Sequence, residues 1–160
     1  MRRSAGAGAV PLTGPTDRLA LSDLVHRYAA AVDDRQFDDV VELFTDTAQL
    51  VLPDPPRALE PTTVHHGPAG VRAALAPLGA VTRTQHEIVG EVYTATGDGA
   101  IGRITCVAHH WTASPDGVTD LVWHLRYDDH YVVTPTGWRI ARRALTLNAI
   151  ETRPIRRLRN

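Results

Sequence analysis

Hydrophobic and polar positions follow a mainly helical period in the first half of this chain, broken by one short strand, and a strand period in the second half. Leu21, Leu24, Val25, Tyr28, Ala29 and Val32 recur at helical spacing, which places them on one face of an amphipathic helix. Thr16 or Asp17 is the expected N-cap, since a short side-chain oxygen accepts from the free amides of a first turn. Phe37, Val40, Val41 and Phe44 mark a short second helix, and residues 47–52 a strand. Residues 53–66 hold four prolines and no periodicity, which predicts a long loop across a pocket mouth. Gly67-Pro68 opens a third helix through Leu78, with proline in its first turn.

Beyond residue 80 the period falls to two. Four strands are predicted, at about 81–93, 100–112, 118–133 and 138–149. A three-residue loop at 97–99 would set His86 opposite His110, Ile88 opposite Ala108 and Val92 opposite Ile104. Asp116-Gly117, read as a two-residue turn, would pair His110 with Trp123, Ala108 with Leu125 and Cys106 with Tyr127. Leu121, Trp123, Leu125 and Tyr127 alternate with Val122, His124, Arg126 and Asp128, so the first four face the core. The last hairpin turns at residues 134–137, and Thr146 and Asn148 are expected on its inner face. Helices followed by an antiparallel meander make an α+β domain.

Composition narrows the chemistry. One domain with a real core fits 160 residues. A net charge of −1 leaves no broad basic surface for nucleic acid or an anionic membrane. All 17 cationic residues are Arg, which excludes lysine Schiff-base chemistry. The single Cys106 excludes an internal disulfide and fits a reducing, cytoplasmic compartment. Residues 1–15 read as a flexible leader without the apolar run of a secretory signal. The domain is expected over 16–150, and 151–160 as a mobile Arg-rich tail. Eight histidines raise the question of a metal, but no spacing puts two ligands on one face beside a third, so none is expected. Arg142 and Arg143 are assigned to the surface or to a dimer contact.

A helix bearing Tyr28 and Asp33, a short Phe-bounded helix, a strand, a helix started by Gly67, and four strands ending in Gly137-Trp138-Arg139-Ile140 resemble the NTF2-like superfamily, in particular its SnoaL-like branch. Thr84-Gln85-His86 with a histidine near position 110 looks like scytalone dehydratase. Tyr28 followed five residues later by Asp33 looks like the bile-acid 7α-dehydratase relatives. The resemblance covers residues 17–149 and implies a cone-shaped, curved sheet wrapped around helices, with a small-molecule pocket inside. It implies that Asp33 orients His86 as general acid–base, that the second histidine handles the leaving group, and that Tyr28 polarises a carbonyl. Val32, Leu52, Leu125 and Tyr127 depart from the polar residues of scytalone dehydratase, which makes the pocket more apolar. Arg103-Ile104-Thr105 lacks the Arg-x-Asp pair of limonene epoxide hydrolase.

Histidine suits dehydration of a β-hydroxy carbonyl because its ordinary pKa of about 6.5 lets it take and give a proton near neutrality. Each candidate has a plainer reading. His86 could be a core histidine bonded to a backbone carbonyl, Asp33 a local cap, and Tyr28 simple core. His109 and His110 point to opposite faces; alternation selects His110, whereas the family's Val-x-His pattern selects His109. The expectation is a cofactor-free lyase with Asp33, His86, His110 and Tyr28 catalytic, and Trp123, Leu125, Tyr127, Leu52 and Asn148 against a small hydrophobic polyketide- or steroid-like hydroxy-ketone. An isomerase or cyclase using the same dyad, or a non-catalytic binding domain, are the alternatives. Self-association as a homodimer or homotrimer is expected through the outer sheet face bearing Arg103, Val107, Val122 and His124.

Overall fold

The computed structural model describes residues 14–159; most of the expected leader lies outside the described residues. Helix α1 (Pro15–Asp33) starts earlier than a Thr16 or Asp17 cap would allow. Gly14 is its N-cap and Pro15 opens the first turn, where a missing N–H costs nothing. Its whole predicted apolar face is buried, Val25 and Val32 at 0% and 1% exposure. Helix α2 (Phe37–Glu42) is followed by β1 (Phe44–Asp54), so Phe44 begins a strand and does not close the helix.

The segment expected to be a loop contains a strand. β2 (Ala58–His66) pairs antiparallel with β1, matching Leu50 to His65 and Val51 to Val64. Helix α3 (Gly67–Leu75) and a 3-10 turn (Ala76–Ala80) lead into β3 (Arg83–Ala95), β4 (Gly99–Ser114), β5 (Gly117–Thr134) and β6 (Gly137–Ile155). The curved, open six-stranded sheet has the order β2-β1-β6-β5-β4-β3, and only the β1–β6 contact is parallel. β6 runs on through Ile155, opposite Val118, so the first residues of the predicted tail are strand.

The last hairpin turns at residues 134–137 as expected, whereas the first two registers differ from the sequence-based ones, the second because of its turn. Ser114 pairs with Gly117 and Thr134 with Gly137. The corners are therefore Pro115-Asp116 and Pro135-Thr136, with proline at the second turn position and glycine at the fourth, as a type I turn prefers. Gly117 and Gly137 sit at φ 135° and 111°, which a side chain would resist. Consequently His110 pairs with Leu121, and Ala108 with Trp123. In the first hairpin His86 pairs with Ala108 and Thr84 with His110. Each of these shifts is two residues, so every inner-face assignment around the histidines survives.

Three bulges do change faces, because each inserts one unpaired residue. Val89 interrupts β3 between Ile88 and Gly90, turning Val92 outward and burying Tyr93. Ala141 and Asn148 interrupt β6. After Ala141 the inner residues are Arg143, Leu145 and Leu147.

Candidate active site

Asp33 is the last residue of α1, where the helix dipole disfavours a carboxylate. Three donors from β3 offset that. The His86 amide donates to Asp33 Oδ2 at 2.8 Å, and the Thr84 hydroxyl to Oδ1 at 2.9 Å. His86 Nδ1 lies 2.7 Å from the same Oδ1. Burial pushes the Asp33 carboxyl up, but the hydrogen bond and charge of His86, its amide and the Thr84 hydroxyl outweigh it and hold the group below its ordinary range. An ionised carboxylate only accepts, so Nδ1 carries the shared proton. The sequence reading of His86 as a core histidine held by a backbone carbonyl does not match this geometry.

His110 is diagonal to His86 across β3 and β4, with ring centroids 6.2 Å apart. Its Nδ1 lies 3.0 Å from the carbonyl of Leu121. That carbonyl can only accept, so Nδ1 holds the proton and Nε2 of the neutral ring is bare. Burial lowers the His110 pKa, and the neighbouring His86 charge adds to this. Trp123 packs on the His110 ring at 4.8 Å, and its indole N–H is buried without a partner among the described residues. His109 points to the other face and bonds Asp120. The inward histidine is therefore His110.

A cavity of about 180 Å3 opens against these groups. Tyr28, His86, His110, Trp123, Leu125, Tyr127 and Leu52 all line it, and Leu50, Leu75, Leu78 and Leu145 make much of the remaining wall. Asp33 sits behind His86. Asn148 does not belong: it is the unpaired bulge residue of β6 and is exposed. A larger open groove, about 900 Å3, runs along Thr82, Arg83 and the C-terminal arginines and touches neither inner histidine.

Arg143, assigned to the surface from sequence, is fully buried. Its Nε and Nη2 donate to Asp129 at 2.9 and 2.6 Å, and the Tyr131 hydroxyl donates to the same carboxylate at 2.5 Å. Its guanidinium carbon stands 4.2 Å from the Tyr28 ring centroid and 4.1 Å from that of Tyr127, within cation–π range of both cavity-lining phenols. Burial raises both phenol pKa values, with Arg143 partly opposing it. One signal was available: Asp129 shares the inner parity of Tyr127 and Tyr131, and an acid there needs a cation opposite. Cys106, at the base of the same face, has its thiol pushed up to about 12 by burial and is inert as a nucleophile.

Among the described residues no group of three or more His, Cys, Asp or Glu side chains is arranged to hold a metal ion. No described helix is long and apolar enough to cross a membrane.

This architecture is that of the NTF2-like cone, and the chain belongs to the SnoaL-like domain family, whose model matches residues 15–144. An uncharacterised protein of Mycobacterium tuberculosis is 32% identical over 131 residues, 82% of this chain and 85% of the relative. The crystal structure of Kfla4162 from Kribbella flavida is 30% identical, covering 85% of this chain and 93% of that one, with a TM-score of 0.72. Two further neighbours share the fold. A proposed scytalone dehydratase from Novosphingobium aromaticivorans has a TM-score of 0.72 at 16% identity, over 90% of this chain and 96% of its own. A hexachlorocyclohexane dehydrochlorinase from Novosphingobium barchaimii has a TM-score of 0.70 at 15% identity, over 89% and 92%.

Proposed function

We propose that the chain is a cofactor-free lyase that removes water from a compact cyclic hydroxy-ketone. The observation that carries this reading is the Asp33–His86 pair, bonded at 2.7 Å, with the His86 ring in the wall of an apolar cavity beside a second imidazole. The two neighbours named for elimination chemistry support it at the level of fold.

His86 Nε2 takes the proton on the carbon next to the substrate carbonyl, and the resulting imidazolium is stabilised by Asp33. Tyr28 and Tyr127, kept protonated by burial, donate to the developing enolate oxygen, with the Arg143 charge behind their rings. The electrons then form the carbon–carbon double bond as the β-hydroxyl leaves. That hydroxyl takes the proton back from His86, so water departs and the neutral imidazole returns. His110, with a bare Nε2, accepts a hydrogen bond from the substrate hydroxyl and orients it. It does not supply the proton, which differs from the part the family resemblance implied.

Size limits the substrate. A 150 Å3 apolar cavity holds a benzene ring, so about 180 Å3 suits one six-membered ring with small substituents and not a four-ring steroid. A panel of monocyclic β-hydroxy-ketones, followed by enone absorbance, tests the reading. Turnover should fall about 100- to 10,000-fold in His86→Ala. Undiminished turnover in that variant, or tight binding of the panel without elimination in the unaltered protein, would overturn it.

A further inference from the structure

We infer that Arg35 and Thr84 are positioning residues that fix the orientation of the Asp33 carboxylate and, through it, the tautomer of His86. The inference rests on the proposed site but concerns groups that touch no substrate.

It begins with the way α1 ends. Asp34 is the C-cap, the Arg35 amide donates to the Val32 carbonyl at 3.1 Å, and the Gln36 amide to the Ala31 carbonyl at 2.8 Å. This is a Schellman closure, in which the residue after the cap takes a left-handed conformation and is most often glycine. Here it is Arg35, at φ 61°, the one non-glycine residue with positive φ among the described residues. A side chain at that position is disfavoured on backbone grounds, and this one makes three hydrogen bonds. Its Nη1 donates to the Val32 carbonyl at 3.0 Å and to Thr84 Oγ1 at 2.8 Å, and its Nη2 to the Val81 carbonyl at 3.2 Å.

The direction of each bond then follows from the chemistry of the groups. A guanidinium can only donate, so Thr84 Oγ1 accepts from Arg35 and must point its single proton elsewhere. The acceptor available is Asp33 Oδ1, 2.9 Å away. With Thr84 on one side of Oδ1, His86 Nδ1–H on the other and the His86 amide on Oδ2, the carboxylate cannot turn without breaking three bonds. Proton placement on His86 is thereby settled: Nδ1 is occupied, and Nε2 of the neutral ring faces the cavity bare, as a base requires. Thr84 itself is 4% exposed, so water does not readily replace its hydroxyl.

The test uses the full chain without substrate. Carbon-13 carboxylate shifts followed against pH report the protonation of Asp33, and imidazole nitrogen-15 shifts report the His86 tautomer. In Thr84→Val the Asp33 midpoint should rise by about half a pH unit or more, and the Nδ1–H tautomer should lose its dominance. Thr84→Ser should restore both. Arg35→Gly suits the backbone conformation, so it should shift the same signals in the same direction without a lower melting temperature. On a compound turned over in the screen, Thr84→Val should lower kcat about tenfold with KM nearly unchanged, the effect of losing an outer partner of a functional histidine. Unmoved Asp33 and His86 signals in both Thr84→Val and Arg35→Gly would overturn the inference and leave these residues as a simple tie between helix and strand. Because the spectra need no turnover, loss of the lyase reading through His86→Ala would leave this result standing on its own.

Discussion

Two carboxylate–imidazole pairs lie on opposite faces of the same sheet, and only one of them borders a cavity. Asp33–His86 and Asp120–His109 are both bonded at 2.7 Å. His86 stands in the wall of the cavity. His109 is stacked on Trp111 at 5.4 Å, and its Nε2 already faces Glu87 Oε1 at 3.5 Å. Nδ1 of the outer ring is therefore bonded to Asp120, and its Nε2 faces a second carboxylate where that of His86 has an apolar cavity beside it. A carboxylate-backed histidine is a common polar solution to burial; what makes a candidate site is an unengaged nitrogen beside an apolar void.

The sharpest way to break this contrast is to delete each ring in turn. His86→Ala should cost about 100- to 10,000-fold in kcat/KM, while His109→Ala should leave kcat/KM within about twofold, since its ring lies on the other face of the sheet and does not line the cavity. Equal losses in the two variants would erase the distinction.

The buried pair beneath the cavity should dominate stability instead. Arg143→Met leaves Asp129 charged and fully enclosed, which should destabilise the fold by about 3–5 kcal/mol, measured by urea denaturation. Adding Asp129→Asn should recover part of that loss, because the uncompensated charge is then gone. On the outer face the expected effect is smaller. Asp120→Asn should cost about 1–3 kcal/mol, the loss of a charge-assisted bond at a buried carboxylate, with turnover unchanged.

The smallest effect is in the pH dependence. His110 has a lowered pKa in the fold, so the unfolded chain binds its proton first as the solution is acidified. The contribution is fully present above the ordinary histidine value of about 6.5 and is lost as pH falls through the lower folded value. Asp33, also lowered, acts in the same direction further down, below the ordinary carboxylate range. Melting temperatures should therefore decline on acidification below about pH 6.5, and His110→Phe should flatten the first part of that decline. An unchanged slope in that variant would remove His110 from the account.

Much of the candidate site was legible because alternation is local. Tyr28 and Asp33 follow from helical spacing, and His86, His110, Trp123, Leu125 and Tyr127 from strand parity. A two-residue error in register does not alter which face a side chain takes, so these assignments tolerated wrong turns. Arg143 and Asn148 failed for the opposite reason. Each lies at or beyond a one-residue bulge in β6, and a single unpaired residue reverses every later side chain. Nothing in the local pattern around Ala141 announces that bulge. Residues 58–66 escaped detection because β2 is an edge strand with only partial burial, and Pro61 within it, with Pro53, Pro55 and Pro56 just before it, obscures the alternation that would reveal it.

The order of apolar and polar residues thus determined the elements other than β2, and the inner faces of α1, β4 and β5 on which the candidate site residues lie, since each depends on neighbours a few positions away. The pairing of Asp33 with His86 was implied by the family resemblance. The tertiary structure decided which residue opposes which, whether the ring behind a carboxylate meets a void or another carboxylate, and that an arginine lies at the centre of the core. Those outcomes depend on ladder bulges and on contacts between distant segments, such as Arg35 with Thr84 and Arg143 with Tyr28. Their energies arise only once the sheet has curved around the helix.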